Sequence, residues 1–443
     1  MTVKLRAIRN CFEGVIPSII ATADASGEPN ISYLSHVHLV DDDHVALSNQ
    51  FFSKTAANVR DTGRATVLVV DALTGDQYAL DLRYEAAVAE GDLFERMAAQ
   101  LRASEGQHGV GAVMALRSAD IYRVVDVQAT PNPPDIAPPP TPRRSVDRLG
   151  AAARLVAEIA AEADPDAMLD RALDGLVELF GFPNAMVLTP DESGDHLTTL
   201  ASRGYATAGV GSQIAFGDGA IGVAAATRRP VRLSDMSRGR RFVAAVKAVA
   251  KADSERAIPF PALGEAQSQL AVPMATRETF FGVLFMESVE RFAFSADDEN
   301  ALALVAGQVA AGLRLAELES RTSSAAEPAP AAESLAGRTF VVRCYDFDGS
   351  VFIDGDYLIK GVPGRLLAHL LEAHAASGRR EFTNRELRLA PSLKLPDLKD
   401  NLEARLILLR RRLEERAAPV RLQRLGRGVI GLDLQGVPRL ERG

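Results

Sequence analysis

Residues 216–222 read "FGDGAIG", and Gly217, Gly219 and Gly222 carry the G-x-G-x-x-G spacing of a dinucleotide-binding turn. Such a turn needs a buried strand before its first glycine, a continuous helix after its last, and an acidic residue about 20 positions on. Here the preceding stretch, Gly209-Val210-Gly211-Ser212-Gln213-Ile214-Ala215, is short and broken by glycine. Pro230 stops the following helix before a strand restarts at Val231. Asp235, near the position of the expected acid, opens the polar loop "DMSRGRRF". The three glycines therefore read as turn and packing residues, not as a Rossmann fingerprint.

Outward from this stretch, 443 residues with 47% apolar and 24% charged side chains describe a globular chain of roughly two to four domains. No uncharged apolar run approaches the ~18 residues of a membrane helix, so no membrane partner is expected. The opening "MTVKLRAIRNCFEGVIPSII" is basic but interrupted by Glu13 and Pro17, unlike a secretory signal. Cys11 and Cys344 stand far apart with no CxxC spacing, so neither a disulfide framework nor a metal site is expected. These features together predict a cytoplasmic protein.

Two stretches divide the chain. "ATPNPPDIAPPPTPRR", residues 129–144, reads as an extended proline-rich spacer, and "RTSSAAEPAPAAESLA", residues 321–336, as a flexible linker. The expected domains are residues 1–128, 145–320 and 337–443. The last carries 20 Lys and Arg against 14 Asp and Glu, a net of +6, within a chain of −8 that leaves −14 for residues 1–336. Residues 337–443 are thus the part suited to a polyanion.

In the first domain, "VIPSIIATAD", "ISYLSHVHLV" and "HVALSNQ" read as strands separated by turn residues. A helical "FFSKTAANVRDTG" and the strands "RATVLVVDAL" and "DQYALDLRYEAAVAEG" follow. Six short strands around one core predict a small antiparallel barrel. "GEPNISYLSHV" followed by "HVALSNQFFSKTAANVRDTGRATVLVVD" resembles the FMN-binding split barrels related to pyridoxamine 5'-phosphate oxidase. The resemblance implies a homodimer with FMN at its interface. Lys54 with Ser53 and Thr55 at a strand-to-helix junction suits a phosphate dianion. Asn49 and Gln50 are placed to bond the polar edge of a flavin, with Tyr33 and Ser35 on the neighbouring strand. The alternative is that Ser53 to Asn58 only caps a helix. His36 and His38 share one face of a strand, a spacing open to haem or to a structural role. The domain closes in "SADIYRVVDVQATPNPP", without the Arg-x-His-Arg-type ending of the oxidases, so the resemblance extends to a cofactor-holding barrel rather than to that enzyme.

The middle domain opens with the helices "VDRLGAAARLVAEIAAEA" and "DPDAMLDRALDGLVELFG", the second with Asp164 as cap and Pro165 at its first position. Five strands follow, then the helix "SADDENALALVAGQVAAGLRLAELES", with Leu302, Val305, Val309, Gly312 and Ala316 along one stripe. "FGDGAIGVAAATRRPVRLSD" and "LAVPMATRETFFGVLFMES" resemble the glycine turn and strand pair of GAF domains. That resemblance implies an α/β sensory domain with a small-molecule pocket of unspecified ligand. Residues 145–336 hold no cysteine, which excludes covalent bilin attachment. "MSRGRRFVAAVKAVAKADSERAIPF" reads as a basic pocket lid or a solvated charged face.

The last domain reads as short strands turning at Asp348-Gly349 and Asp354-Gly355, three helices, and a hairpin through Gly426-Arg427-Gly428. "EFTNRELR", "LRRRLEE" and the basic hairpin resemble the OmpR/PhoB-type winged-helix DNA-binding domain. Carried over residue by residue, Arg405 and Arg410 would read bases or phosphates, Arg411 and Arg412 phosphates, and Arg424 and Arg427 would form the wing. Leu406-Ile407-Leu408-Leu409 makes that helix apolar on every side, so Ile407 and Leu408 face either DNA or another subunit.

The expected architecture is an antiparallel β split barrel, then an α/β GAF domain, then a C-terminal winged helix. The expected function is a one-component transcription regulator that senses a flavin or small ligand and binds double-stranded DNA. The alternative is an FMN-dependent oxidoreductase with regulatory GAF and protein-interaction domains.

Overall fold

The computed structural model describes residues 3–50, 53–108, 116–130, 147–236, 258–322, 339–393, 395, 401–426 and 428–443. Most of both linkers, nearly all of the basic lid stretch, and Arg427 lie outside the described residues.

The first unit is an antiparallel sheet of β1 (Ser18–Ala23), β2 (Pro29–Leu34), β3 (Val37–Leu39), β4 (His44–Asn49), β5 (Arg64–Val70), β6 (Gln77–Val88) and β7 (Ser118–Thr130). Their order is β2-β1-β5-β6-β7-β4-β3. A 3-10 helix, Leu5–Phe12, buries Leu5, Ile8, Cys11 and Phe12 against its concave side. The run "ISYLSHVHLV", expected as one strand, is split at Ser35 and His36. Its halves β2 and β3 become the two edges, with no ladder between them among the described residues, so the sheet is a curled half-barrel rather than a closed barrel. Helix α1 (Ser53–Thr62) follows β4 as expected. Helix α2 (Asp92–His108) was not foreseen, although Leu93, Met97 and Leu101 recur at the helical spacing of four.

The middle sheet is antiparallel too, ordered β10 (Gln213–Ala215), β9 (His196–Arg203), β8 (Asn184–Pro190), β13 (Phe280–Ser288), β12 (Ser268–Ala275) and β11 (Val231–Leu233). One face packs on α3 (Arg148–Ala161), α4 (Pro165–Phe180) and α6 (Ala296–Thr322). The other packs on α5 (Gly219–Thr227) together with Ala99 and Ala103 of α2. A helix from the first unit thus completes the second face of the middle domain. Asp164 caps α4, its side chain accepting from Asp166 N, with Pro165 at the first position. On α6 the stripe Leu302, Val305, Val309 and Ala316 is buried within the chain, while Leu304 and Leu315 are more than half exposed. By length and composition Ala296–Glu319 could cross a membrane, and half of it is buried inside the chain.

Among the described residues of 339–443, two small sheets surround three α-helices. β16 (Asp356–Ile359), β15 (Val351–Ile353), β14 (Thr339–Cys344) and β20 (Val437–Arg442) make one, with β20 parallel to β14. β17 (Glu381–Thr383), β19 (Val429–Leu434) and β18 (Val420–Gly426) make the other. The helices are α7 (Val362–Ser377), α8 (Asn384–Leu389) and α9 (Leu402–Glu415). Thr383 caps α8 by accepting from Glu386 N, and Asn401 caps α9 by accepting from Ala404 N. Leu406, Ile407, Leu408 and Leu409 are all buried, in an apolar cluster continuous with the α3, α4 and α6 face of the middle sheet. Ile407 and Leu408 therefore pack inside the chain, 5% and 2% exposed.

The stretch at 216–222 takes the form of a turn. Gly217 and Gly219 have φ of +86° and +57°, and the chain enters α5 directly. A Cβ on Gly222 would stand 2.3 Å from the carbonyl oxygen of Ala215, so this glycine is needed for close packing. Gly222→Ala should lower unfolding stability by about 1–3 kcal/mol, and Gly217→Ala by about 1–2 kcal/mol through its positive φ alone. Urea unfolding of the two variants checks this, and an unchanged Gly222→Ala midpoint contradicts the packing role.

Candidate functional site

Among the described residues, several constellations gather polar and charged side chains. In the half-barrel, β4 ends at Asn49 and α1 opens at Ser53. Ser35 Oγ donates to Gln50 Oε1 at 2.6 Å, Asn49 Nδ2 to Asp120 Oδ2 at 3.2 Å, and Asn30 Nδ2 to Thr55 Oγ1 at 2.9 Å. Asn49 and Thr55 line a small cavity of about 10 Å³ with Asp120 and Tyr122, room for roughly one water. Burial raises the Asp120 carboxyl above its ordinary value, against hydrogen bonds from Ser118 and Asn49 that lower it. Lys54 is exposed at the start of α1. The Ser26 hydroxyl first, and the Lys54 charge least, hold the Asp24 carboxyl below its ordinary value. The side chain of Ser53 lies outside the described residues. Tyr33 does not join the group. Strand residues alternate in direction, so with Asn30 turned to Thr55, Ile31 and Tyr33 point the other way and are 73% and 74% exposed.

On the second face of the middle sheet, Glu287 of β13 is buried among apolar neighbours. It accepts from Leu263 N at 2.7 Å and Gln269 Nε2 at 3.3 Å. Burial, and then the Glu287 charge, push the neighbouring Tyr205 hydroxyl far above its ordinary value. A buried carboxylate beside a phenol and an amide can take a donor-bearing ligand. In the sequence Glu287 is hidden within the apolar run "FFGVLFMES".

The third constellation lies where α9 and the β18–β19 hairpin meet the start of α4. Asp166 is almost wholly buried and pairs with both Arg410 and Arg411. Arg411 Nε donates to Asp166 Oδ1 at 2.5 Å, and its Nη2 to Asp166 O at 3.1 Å and Asp170 Oδ1 at 3.0 Å. Arg424 reaches Asp164 at 3.0 Å. Arg203 holds Asp170 and Asp174 at 2.7 and 2.8 Å. Asp166, Asp170 and Asp174 recur every four residues, a like-charge stripe that would destabilise an isolated helix and is here matched by guanidinium groups. Of the arginines expected to meet DNA, Arg405 and Arg412 are buried, Arg412 donating to Leu358 O at 2.8 Å. Arg410, Arg411 and Arg424 share one face, and Arg427 lies outside the described residues.

The half-barrel is tied to the middle domain by Arg232. It is buried between Glu13 and Glu299, and Ser234 Oγ donates to Glu13 Oε2 at 2.7 Å. His36 and His38 lie beside this contact with ring centroids 6.0 Å apart. A Cβ on Gly14 would stand 2.6 Å from His36 Nδ1, so this ring is packed against backbone.

Residues 5–125 match the pyridoxamine 5'-phosphate oxidase family model. Residues 162–314 match the GAF domain model. The chain thus joins domains matched by two family models, over separate parts of its length. It is similar to the GAF domain of an Acinetobacter phosphoenolpyruvate-protein phosphotransferase, with 21% identity over 39% of this chain and 95% of that one, TM-score 0.32. It is also similar to HupZ of Group A Streptococcus, with 22% identity over 27% and 93%, TM-score 0.22. An FMN-binding protein of Syntrophomonas wolfei has 19% identity over 29% and 92%, TM-score 0.23. No curated protein matches the chain.

Burial first, and nearby cationic charge second, lower His36 to about 3. His38 falls to about 4 through burial and then Arg96, with Glu299 opposing. In the unfolded chain both take up a proton near 6.5, so below that pH the unfolded state binds more protons than the folded one. Stability should therefore be lost as pH falls from about 6.5 towards 4, by up to about 1.4 kcal/mol per histidine per pH unit. Thermal unfolding between pH 7 and 5 checks this against a His36→Gln/His38→Gln variant, which should lose the smaller amount. Equal slopes contradict the assignment.

Proposed function

We propose that the chain is a ligand- or redox-responsive one-component transcription regulator, its first two domains recognising a flavin or other small molecule and residues 337–443 binding duplex DNA. The reading is carried by the convergence of Arg410, Arg411 and Arg424 on one face made by a helix and a hairpin. These are the kinds of element that winged helices present to a duplex. The order of three strands, helix, strand, two helices and hairpin supports the same reading. A cytoplasmic location accords with it.

For the first domain, the donors suit the phosphate of FMN. Lys54 is an exposed ammonium at the opening of the ten-residue α1, whose first-turn N–H groups face outward from the helix end. Ser53 and Thr55 flank it, and the amides of Asn49 and Gln50 stand nearby. The interior cavity is too small for a flavin ring, so the ring would lie against the open face, between two subunits of a homodimer. Bound there, the flavin supplies reversible electron transfer. The protein's residues would hold the phosphate and orient the ring edge. The same cradle supports a second reading as an FMN-dependent oxidoreductase, which turnover of a reduced nicotinamide would favour.

Purified protein should be yellow with flavin absorption, and Lys54→Ala should weaken FMN retention at least tenfold by equilibrium dialysis. A colourless protein that takes up no added FMN contradicts the cofactor. Duplex binding by fluorescence anisotropy should weaken steeply from 50 to 200 mM salt. Arg411→Ala with Arg424→Ala should reduce the log–log slope by about two. Absence of salt-dependent binding, even with Asp164, Asp166 and Asp170 changed to Asn, overturns the regulator reading.

A further inference from the structure

The arginines that a duplex would need are already occupied. Asp164 caps α4, Asp166 lies in its first turn, and Asp170 follows one turn later, about 6 Å further along the axis. Against them stand Arg424, then Arg410 with Arg411, then Arg411 again. Carboxylates at a helix N-terminus are favoured by the dipole. Presented to guanidinium forks, they offer the same bidentate acceptor geometry as phosphate oxygens. The pairing is reinforced by burial: Ile407, Leu406 and Leu422 line the same cleft as Asp164 and Asp166.

A second contact leads from this cleft towards the other constellation of the middle domain. Glu415, at the last turn of α9, accepts from Gly209 N at 3.0 Å and holds Arg412 at 2.6 Å. The Gly209–Gly211 turn packs against Ile258, Pro259 and Pro261: a Cβ on Gly209 would stand 2.5 Å from Pro261, and one on Gly211 2.8 Å from Ile258. Two residues on, Leu263 N donates to the buried Glu287. A continuous set of short contacts thus runs from Glu287 through residues 258–263 and the Gly209 turn to α9. A ligand that shifts Leu263 on Glu287 bears directly on the helix carrying Arg410 and Arg411.

We propose that Asp164, Asp166 and Asp170 form an intrachain phosphate mimic that latches Arg410, Arg411 and Arg424 shut, and that the Glu415–Gly209 contact couples this latch to the Glu287 face of the GAF domain. The latch rests on the reading of residues 337–443 as a polyanion-binding module, and is tested apart from it. The full chain is compared with an Asp164→Asn/Asp166→Asn/Asp170→Asn variant by two measurements. Small-angle X-ray scattering reads whether residues 337–443 leave the middle domain, and anisotropy of a labelled 30-base-pair duplex reads affinity. Release with at least tenfold tighter duplex binding is the expected result. Release without any gain in duplex binding sustains the clamp and overturns its competition with a polyanion. An unopened variant, or wild-type protein that binds duplex as tightly as the variant, overturns the latch, and salt-dependent duplex binding by either protein leaves the regulator reading intact. Asp170→Asn alone guards against misfolding, being partly exposed, and should shift both readouts in the same direction by a smaller factor. Glu415→Gln should do likewise, and an unchanged affinity there overturns the coupling to the Glu287 face.

Discussion

A nearly solvent-free carboxylate, Asp166, sits between two guanidinium groups from a part of the chain more than 240 residues away. Burying such a charge is costly unless it is paired, and removing its partner costs about 3–5 kcal/mol. The same holds for Arg411, whose Nε and Nη2 donate to Asp166 and Asp170. The contact therefore cannot loosen by degrees: either the carboxylates keep the guanidinium groups, or another set of anions takes them. This constraint orders the rest of the molecule, because it makes the position of residues 339–443 depend on the start of α4.

The domains are interleaved rather than strung in series. α2 leaves the half-barrel to cover α5 of the middle sheet, with Gln100 Nε2 donating to Arg232 O at 2.5 Å. Arg229 reaches back to Glu95 at 2.8 Å, and Arg9 to Asp297 at the start of α6 at 2.9 Å. On the opposite face, α9 shares an apolar cluster with α3, α4 and α6. The middle sheet thus lies between α2 of the half-barrel on one side and residues 339–443, packed through α3, α4 and α6, on the other.

Much of this was legible in the sequence. The strand alternation of residues 18–88, the Asp164-Pro165 start of α4, the buried stripe of α6 and the Thr383 cap all follow from local rules of period and capping. The glycines of "FGDGAIG" read as turns because Pro230 and the broken strand before them left no room for a nucleotide fold. What escaped was non-local. The period-2 rule put Tyr33 on a strand, yet which face it takes depends on where α1 packs. The spacing of Asp166, Asp170 and Asp174 names no partner by itself, and only the fold supplies Arg203 and Arg411 to oppose them. Likewise, a net of +6 over residues 337–443 suggests a polyanion-binding surface, whereas the structure spends Arg410, Arg411 and Arg424 on the −14 that precedes them. The apolar run Leu406–Leu409 carried the hint, since a helix without a polar side has to be covered.

Amide hydrogen exchange in the first turn of α4 and at Gly209, recorded with and without a saturating 30-base-pair duplex at low salt, tests the central claim most directly. If the carboxylates and a polyanion compete for the same guanidinium groups, those amides exchange faster once duplex is bound, while the α5 amides are unchanged. Bound duplex with undiminished protection at residues 165–170 and Gly209 would mean that the arginines never leave Asp166, and the account would fail.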